Sequence, residues 1–292
     1  MRSPGPDSGL AERSIGCPTC RGLASLVKLE KYEGLEYRVY RCNQCRSLFC
    51  PDHHAACSPE YISRRREDID AMVLWCQGRH KLQAYRQLFA ELKKARLRVR
   101  SLLDIGCGTG GFLDYARSEG CEALYGFDAS QVQVEFAQRM HKHVRCATSL
   151  GEYLAQLGEQ PQFDLVTMWD VIEHLRDPGR MLSEIASLCR GKPLLFISTP
   201  NALSEYWKFR VRTMLGLAHT FSPWEHVLYF SRQALERFLC HHGFELIISS
   251  ATRCYRRPLT LFELARRAGY LLAARTALAP QLFVLSYRQA DV

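Results

Sequence analysis

The stretch LLDIGCGTGGFL, Leu102–Leu113, decides how the rest of the chain is read. Leu102, Leu103 and Ile105 make a short apolar run that fits a buried strand, and Gly111 begins a helix. Between them Gly106, Gly108 and Gly110 let the backbone take positive φ angles and approach a ligand closely. Such a turn by itself serves dinucleotides, flavins or phosphates alike. Two details narrow it. The spacing is G-x-G-x-G rather than the G-x-G-x-x-G of dinucleotide turns. Asp104 also puts a carboxylate at the mouth of the loop, which suits a cationic amino-acid group better than a pyrophosphate. Asp128, closing the next apolar run in EALYGFD, is placed to accept the two hydroxyls of a ribose.

Outward from this turn the chain alternates. SLLDI, EALYGFD, HVRC, FDLVTMW and PLLFIST read as strands, with helices near Gly111–Glu119, Ser130–His141, Gly151–Leu157 and Pro178–Cys189 between them. A capped helix, SRQALERFLCHH, and the strands GFELIISSATR and QLFVLSY follow. The pattern predicts an α/β fold with a doubly wound, Rossmann-like seven-stranded sheet over residues 99–292. Residues 200–230 are a long insertion, expected to cover the site as a lid, and 256–278 are a helical insertion. Before the sheet, residues 61–98 form a helical linker or cap. Apolar residues recur there from Ile69 to Arg96 at helical spacing, as one helix or as two broken near Gly78.

Thirteen cysteines, odd in number and mostly scattered, argue against a disulfide framework. Four are grouped as CPTC and CNQC: Cys17, Cys20, Cys42 and Cys45. The pattern C-x2-C-x21-C-x2-C presents four thiolates, the closed tetrahedral set of a zinc ribbon, here placed over residues 15–60. Four cysteines leave no open position, so this zinc is expected to be structural. Residues 1–14 read as a disordered tail without the apolar core of a signal peptide. The basic excess is N-terminal: residues 1–100 carry 19 Lys/Arg against 11 Asp/Glu, the remainder 20 against 19. That favours an anionic partner. No apolar run reaches membrane-spanning length, and a cytoplasmic location is expected.

DIGCGTG is nearly the first motif of the class I S-adenosylmethionine-dependent methyltransferases, and the chain resembles that family from Leu102 to Arg253. The resemblance implies that Asp104 and the loop Gly106, Cys107, Gly108 and Gly110 hold the methionine part of the cofactor. It implies Asp128, with Ala129 beside it, for the ribose, and Thr148 and Ser149 beside the adenine. Trp169 and Asp170 would face cofactor and acceptor. With the zinc ribbon, WDVIEHLRDP, ISTPN and EHVLYFS added, the chain is similar to bacterial sugar C-methyltransferases and ubiquinone-type O-methyltransferases.

Two Glu-His pairs are the candidates for chemistry. A methyl sulfonium is already activated, so the protein must align and deprotonate the acceptor, a task for histidine near neutral pH. Glu225-His226 lies in the lid. The likeness to sugar C-methyltransferases implies His226 as the base with Glu225 orienting its ring, whereas the residues alone read equally as packing. Asp170, Glu173 and His174, spaced i, i+3, i+4, share a face at the mouth of the site. They suit substrate contact, a general base, or a divalent magnesium or zinc ion. Tyr229 and Tyr61 are weaker candidates for substrate contact. The expected reaction is methyl transfer to carbon or oxygen of a small-molecule acceptor: a sugar, a lipid-linked precursor or a secondary-metabolite precursor. The alternative is an rRNA or tRNA methyltransferase that grips nucleic acid with its basic N-terminus, although no N-P-P-Y-like motif follows the fourth strand. The apolar insertion near Arg256, Arg257, Arg266 and Arg267 reads as core packing, with a membrane-surface helix or a dimer face as the other readings.

Overall fold

The structure, a computed structural model, describes residues 15–52, 69–76, 78–189, 191, 193–252 and 279–288. The tail over 1–14, Tyr61 and the insertion 256–278 lie outside the described residues.

The chain opens with short antiparallel strands: β1 (Ile15–Gly16), β2 (Leu23–Tyr32), β3 (Leu35–Cys42) and β4 (Leu48–Phe49). A two-residue loop joins β2 to β3. Glu33 and Gly34 both have positive φ there, at 50° and 78°, the turn whose twist matches a hairpin. Helices α1 (Ile69–Cys76) and α2 (Arg79–Lys94) then flank Gly78, so the amphipathic stretch is two helices.

The larger sheet comprises β5 (Ser101–Ile105), β6 (Ala123–Asp128), β7 (His143–Cys146), β8 (Leu165–Trp169) and β9 (Leu194–Pro200). After β10 (Leu228–Tyr229), which joins the other sheet, come β11 (Phe244–Thr252) and β12 (Gln281–Arg288). The order is β11-β12-β9-β8-β5-β6-β7, with β5 to β9 parallel and β12 antiparallel to both neighbours. All seven expected strands are present. Leu102, Leu103, Leu165, Val166, Phe196 and Ile197 are fully buried, as in a parallel sheet covered on both faces. The helices α3 (Gly111–Ser118), α4 (Gln131–Ala137), α5 (Leu150–Leu157) and α6 (Pro178–Leu188) lie between these strands in sequence. Ser130, Ser149 and Asp177 cap α4, α5 and α6 by accepting a backbone N–H, a contribution of about 1 kcal/mol each.

Residues 200–230 are more ordered than a loop reading suggests. Asn201 caps α7 (Ala202–Met214). β10 then pairs antiparallel with β4, Leu228 opposite Phe49 and Tyr229 opposite Leu48, so the first sheet has the order β1-β2-β3-β4-β10. An uncovered β4 would be a buried apolar edge lacking hydrogen-bond partners; the insertion supplies them. α8 (Arg232–His241), capped by Ser231, returns the chain to the large sheet.

Candidate active site

β5 leads to β6 and β7 on one side and is flanked by β8 on the other. This is the switch point where open α/β sheets bind ligands. A cavity of ≈ 670 Å³ lies there. Asp104, Gly106, Cys107 and Gly108 line it from β5 and the glycine turn, Asp128 and Ala129 from β6, Thr148 from the loop after β7, and Trp169 and Asp170 from β8. Gly110 and Ser149 have another place. Gly110, at φ 84°, is the N-cap position of α3, and Ser149 caps α5 by accepting from Glu152 N–H.

The turn is held by its acids. Asp128 Oδ2 accepts from Gly108 N–H at 2.9 Å, and Oδ1 from Ser130 N–H at 2.8 Å. Asp104 Oδ1 accepts from the Thr167 hydroxyl at 2.7 Å. Burial pushes the Asp104 carboxyl up to about 7, against the pull of that hydrogen bond. A Cβ on Gly106, at φ 70°, would lie 2.5 Å from Val171 Cγ2, so no side chain fits without a shift. Three polar groups in the cavity wall are buried without a hydrogen-bond partner among the described residues: the Gln133 amide, Trp169 Nε1 and Glu173 Oε1. Buried polar groups are normally paired, and a bound ligand is the natural partner.

Lys81 is the residue that sequence reasoning missed. It projects from α2, is 8% exposed, and donates to Asp170 Oδ2 at 2.5 Å. Burial acts to lower its pKa, but the Asp170 charge and hydrogen bond outweigh this and raise it. The Gln281 amide donates to the other Asp170 oxygen, and Asp170 itself has φ 55°. A signal did exist: Lys81, Tyr85, Leu88 and Leu92 are spaced i, i+4, i+7, i+11, one stripe of a helix, and all are buried. Asp170 is thus engaged by Lys81 and Gln281. The ligand atoms that come within 4.8 Å of one another are those of Glu173, His174 and His226, not the expected Asp170, Glu173 and His174.

The two Glu-His pairs meet in this cavity. Glu173 and His174 belong to a 3-10 turn, Ile172–His174, rather than an α-helix. Glu173 is fully buried and its Oε2 accepts from the Thr199 hydroxyl at 2.8 Å. Burial, reinforced by the Asp170 charge, pushes its carboxyl up. His174 Nδ1 is 2.7 Å from the Glu225 carbonyl oxygen. A carbonyl can only accept, so Nδ1 carries a proton, and whenever the ring is neutral its lone pair is on Nε2. His226 Nδ1 is 2.7 Å from Tyr229 Oη, and the Tyr229 hydroxyl donates to the Phe221 carbonyl. With its one hydrogen spent, Tyr229 accepts from His226 Nδ1–H, so a neutral His226 ring also has its lone pair on Nε2. The ring centroids are 4.8 Å apart. Tyr229 Oη meets Nδ1 of the His226 ring, the Glu225 carbonyl accepts from His174, and Glu225 lines the cavity beside both rings.

At the N-terminal knuckles, Cys17 and Cys45 Sγ are 3.6 Å apart and Cys20 and Cys42 Sγ 3.5 Å. All four lie within 4.8 Å of one another. A tetrahedral zinc with Zn–S of about 2.3 Å has S···S edges of about 3.8 Å, so the set fits. Backbone N–H groups of Thr19, Gln44 and Cys45 point at Cys17 and Cys42 sulfurs at 3.3 to 3.4 Å, as suits thiolates.

A family model described as a methyltransferase domain matches residues 75–249. The ubiquinone biosynthesis O-methyltransferase of Parvibaculum lavamentivorans is 38% identical over 115 residues, covering 37% of this chain and 44% of that protein. The enzyme of the same name from Bartonella quintana is 31% identical over 111 residues, covering 36% and 43%. The chain thus spans less than half the length of these two relatives. Among solved structures, magnesium protoporphyrin IX methyltransferase from Synechocystis PCC 6803, with S-adenosylhomocysteine bound, superposes with a TM-score of 0.51 at 17% identity, covering 79% of this chain and 99% of that one. The plantazolicin methyltransferase BpumL, in complex with a triazolic desmethylPZN analog and S-adenosylhomocysteine, gives 0.53 at 14%, covering 81% and 95%. At such identities the likeness shows a shared fold.

Proposed function

The chain belongs to the methyltransferase-domain family, whose model spans more than half of it, and from that premise we propose that it moves a methyl group from S-adenosylmethionine to a small-molecule acceptor, with a histidine as base. One observation carries this reading. A single cavity brings the acid–glycine turn–acid wall of β5 and β6 to face two imidazoles whose Nδ1 protons are committed elsewhere.

The residues present fit the cofactor. Asp104 offers a buried carboxylate for an α-ammonium, and Asp128 has acceptor lone pairs beyond its two N–H bonds for ribose hydroxyls. The partnerless Gln133 and Trp169 groups give further polar contacts. When bound, S-adenosylmethionine supplies a methyl already activated by a positively charged sulfur. The protein's own work is to bind, align and deprotonate. His226 takes the acceptor's proton at Nε2, and the Nδ1–H···Tyr229···Phe221 chain steadies the imidazolium. His174, in the same tautomer, is the second candidate. Glu173, protonated above the usual carboxylate range, can donate to an acceptor oxygen. The Lys81–Asp170 pair adds a compensated charge, so the cavity wall gains no unbalanced ion there. The named relatives are O-methyltransferases, which favours oxygen over carbon. The four cysteines hold a structural zinc in this reading.

Calorimetry with S-adenosylhomocysteine tests it, and a chain that does not bind sinks it. A pH series adds a sign. Asp104 titrates at about 7 in the ligand-free chain, and an ammonium beside it stabilises the ionised form. Below about 7 binding must therefore expel a proton. Affinity is expected to fall by up to about tenfold per pH unit going down from 7, and to level off above it. Asp104→Asn should flatten the curve. A flat wild-type profile between pH 5.5 and 8 rules out this role for Asp104.

A further inference from the structure

The segment that carries His226 is built into the wrong sheet for an ordinary lid. β10, the two residues that begin just past Val227, is a strand of the cysteine-bearing N-terminal sheet, not of the sheet that forms the cofactor wall. Cys50 N–H donates to the Val227 carbonyl at 3.0 Å. On its other side Val227 N–H donates to the Glu173 carbonyl at 3.0 Å. The residue next to His226 is therefore clamped between β4 and the catalytic turn.

The second knuckle reaches the same segment directly. Cys42 N–H donates to the Ser47 carbonyl at 2.9 Å, closing the knuckle turn. Ser231 Oγ then donates to the Cys45 carbonyl at 2.5 Å, and Ser231 N–H to Ser47 Oγ at 3.4 Å. Two metal-ligand positions thus border the turn that fixes the end of β10. A third link comes from the hairpin. Glu30, 6% exposed, accepts from Phe221 N–H at 2.7 Å and from the Thr220 hydroxyl. Phe221 is the residue whose carbonyl accepts from the Tyr229 hydroxyl and so leaves Tyr229 Oη to accept from His226 Nδ1–H. Tyr32 stacks on Trp224, ring centroids 4.1 Å apart. The knuckle contacts end at Ser231, five residues past His226, and the hairpin end of the same sheet reaches Phe221 and Trp224, while Asp104, the glycine turn and Asp128 belong to the other sheet.

We infer that the four-cysteine site, when it holds its metal, fixes His226 over the cavity, so that methyl transfer depends on a metal that touches neither reactant. The inference rests on His226 as the base. Its test reads the geometry of a ring and so stands apart from whether transfer occurs. Glu30 and Tyr229 are positioning residues in this scheme: Tyr229 meets the ring directly, and Glu30 acts through Phe221.

The experiment uses the full chain with labelled histidine side chains. Metal is removed by a chelator and returned as Co²⁺, whose thiolate charge-transfer absorption reports filling of the four-cysteine site. The His226 ring resonances are followed beside S-adenosylhomocysteine calorimetry. The loaded chain should show one sharp His226 signal, and the metal-free chain a shifted or broadened one that Co²⁺ restores. Affinity for S-adenosylhomocysteine should stay within about twofold, as for independent sites. Displacement of a base by an ångström lowers transfer by about a hundredfold. Glu30→Ala, with its cysteines intact, should fill with Co²⁺ yet show the shifted His226 signal, and Glu30→Gln, which keeps an acceptor for Phe221 N–H, should recover much of it. If the metal-free chain unfolds, the Glu30 pair decides. A His226 signal that is the same in wild type and Glu30→Ala overturns the inference, as does a chain whose cysteines take up no Co²⁺.

Discussion

His226→Ala is expected to lower methyl transfer by about 100- to 10,000-fold, the span general-base groups contribute, while S-adenosylhomocysteine affinity stays at the wild-type value. The separation follows from the layout. His226 comes from the segment attached to the N-terminal sheet, whereas the groups assigned to the cofactor come from β5 and β6. His174→Ala should cost less, because its Nδ1 bond to the Glu225 carbonyl ties down the lid backbone as much as it prepares a base. Tyr229→Phe removes the acceptor for His226 Nδ1–H and lets the ring carry its proton on Nε2. A loss of about 10- to 100-fold is expected from such an orienting partner. The measurement is transfer of labelled methyl from S-adenosylmethionine into a metabolite extract, with bulk RNA as a parallel arm. Full activity in His226→Ala together with an inactive His174→Ala would hand the proton to the other histidine. Label appearing in RNA alone would replace the acceptor class.

The sheet was legible because its strands are continuous apolar runs bounded by turn chemistry, and the acid–glycine turn because a motif of a few residues names its own place at a strand end. Lys81 was hidden for the opposite reason. In RHKLQAYRQLFAELKK a lysine looks like surface, and only its phase with Tyr85, Leu88 and Leu92 shows that it faces inward. That the two Glu-His pairs share one site follows from the lid reading; the bonds that join them were beyond the sequence. Residues some fifty positions apart are joined by Val227 N–H to the Glu173 carbonyl and by His174 Nδ1 to the Glu225 carbonyl, and a backbone partner leaves no trace in side-chain identity. For the same reason β10 reads as part of a lid. Two residues cannot show a period, and their partner, β4, lies in another domain of the sequence. Tyr229, read from sequence chiefly as packing, acquires its role only through the Phe221 carbonyl beside it.

The second large effect belongs to Gly106. Gly106→Ala is expected to destabilise the chain by about 2–5 kcal/mol, combining about 1–3 for overpacking with about 1–2 for an L-residue held at positive φ. It should also abolish detectable S-adenosylhomocysteine binding. The clash is specific: the new Cβ meets Val171 Cγ2 at 2.5 Å, and Val171 immediately precedes the 3-10 turn of Glu173 and His174. Displacing Val171 therefore disturbs both the glycine turn and the turn that carries Glu173 and His174. Adding Val171→Ala removes the methyl group in the way. The double variant should regain the overpacking part, about 1–3 kcal/mol, and keep only the backbone strain, a non-additivity that residues in contact show. Denaturant melts of the wild type, both single variants and the double variant measure the coupling directly. If the two costs simply add, Val171 is not what confines the turn, and the close approach of the backbone to the ligand must be the whole reason for a glycine at 106.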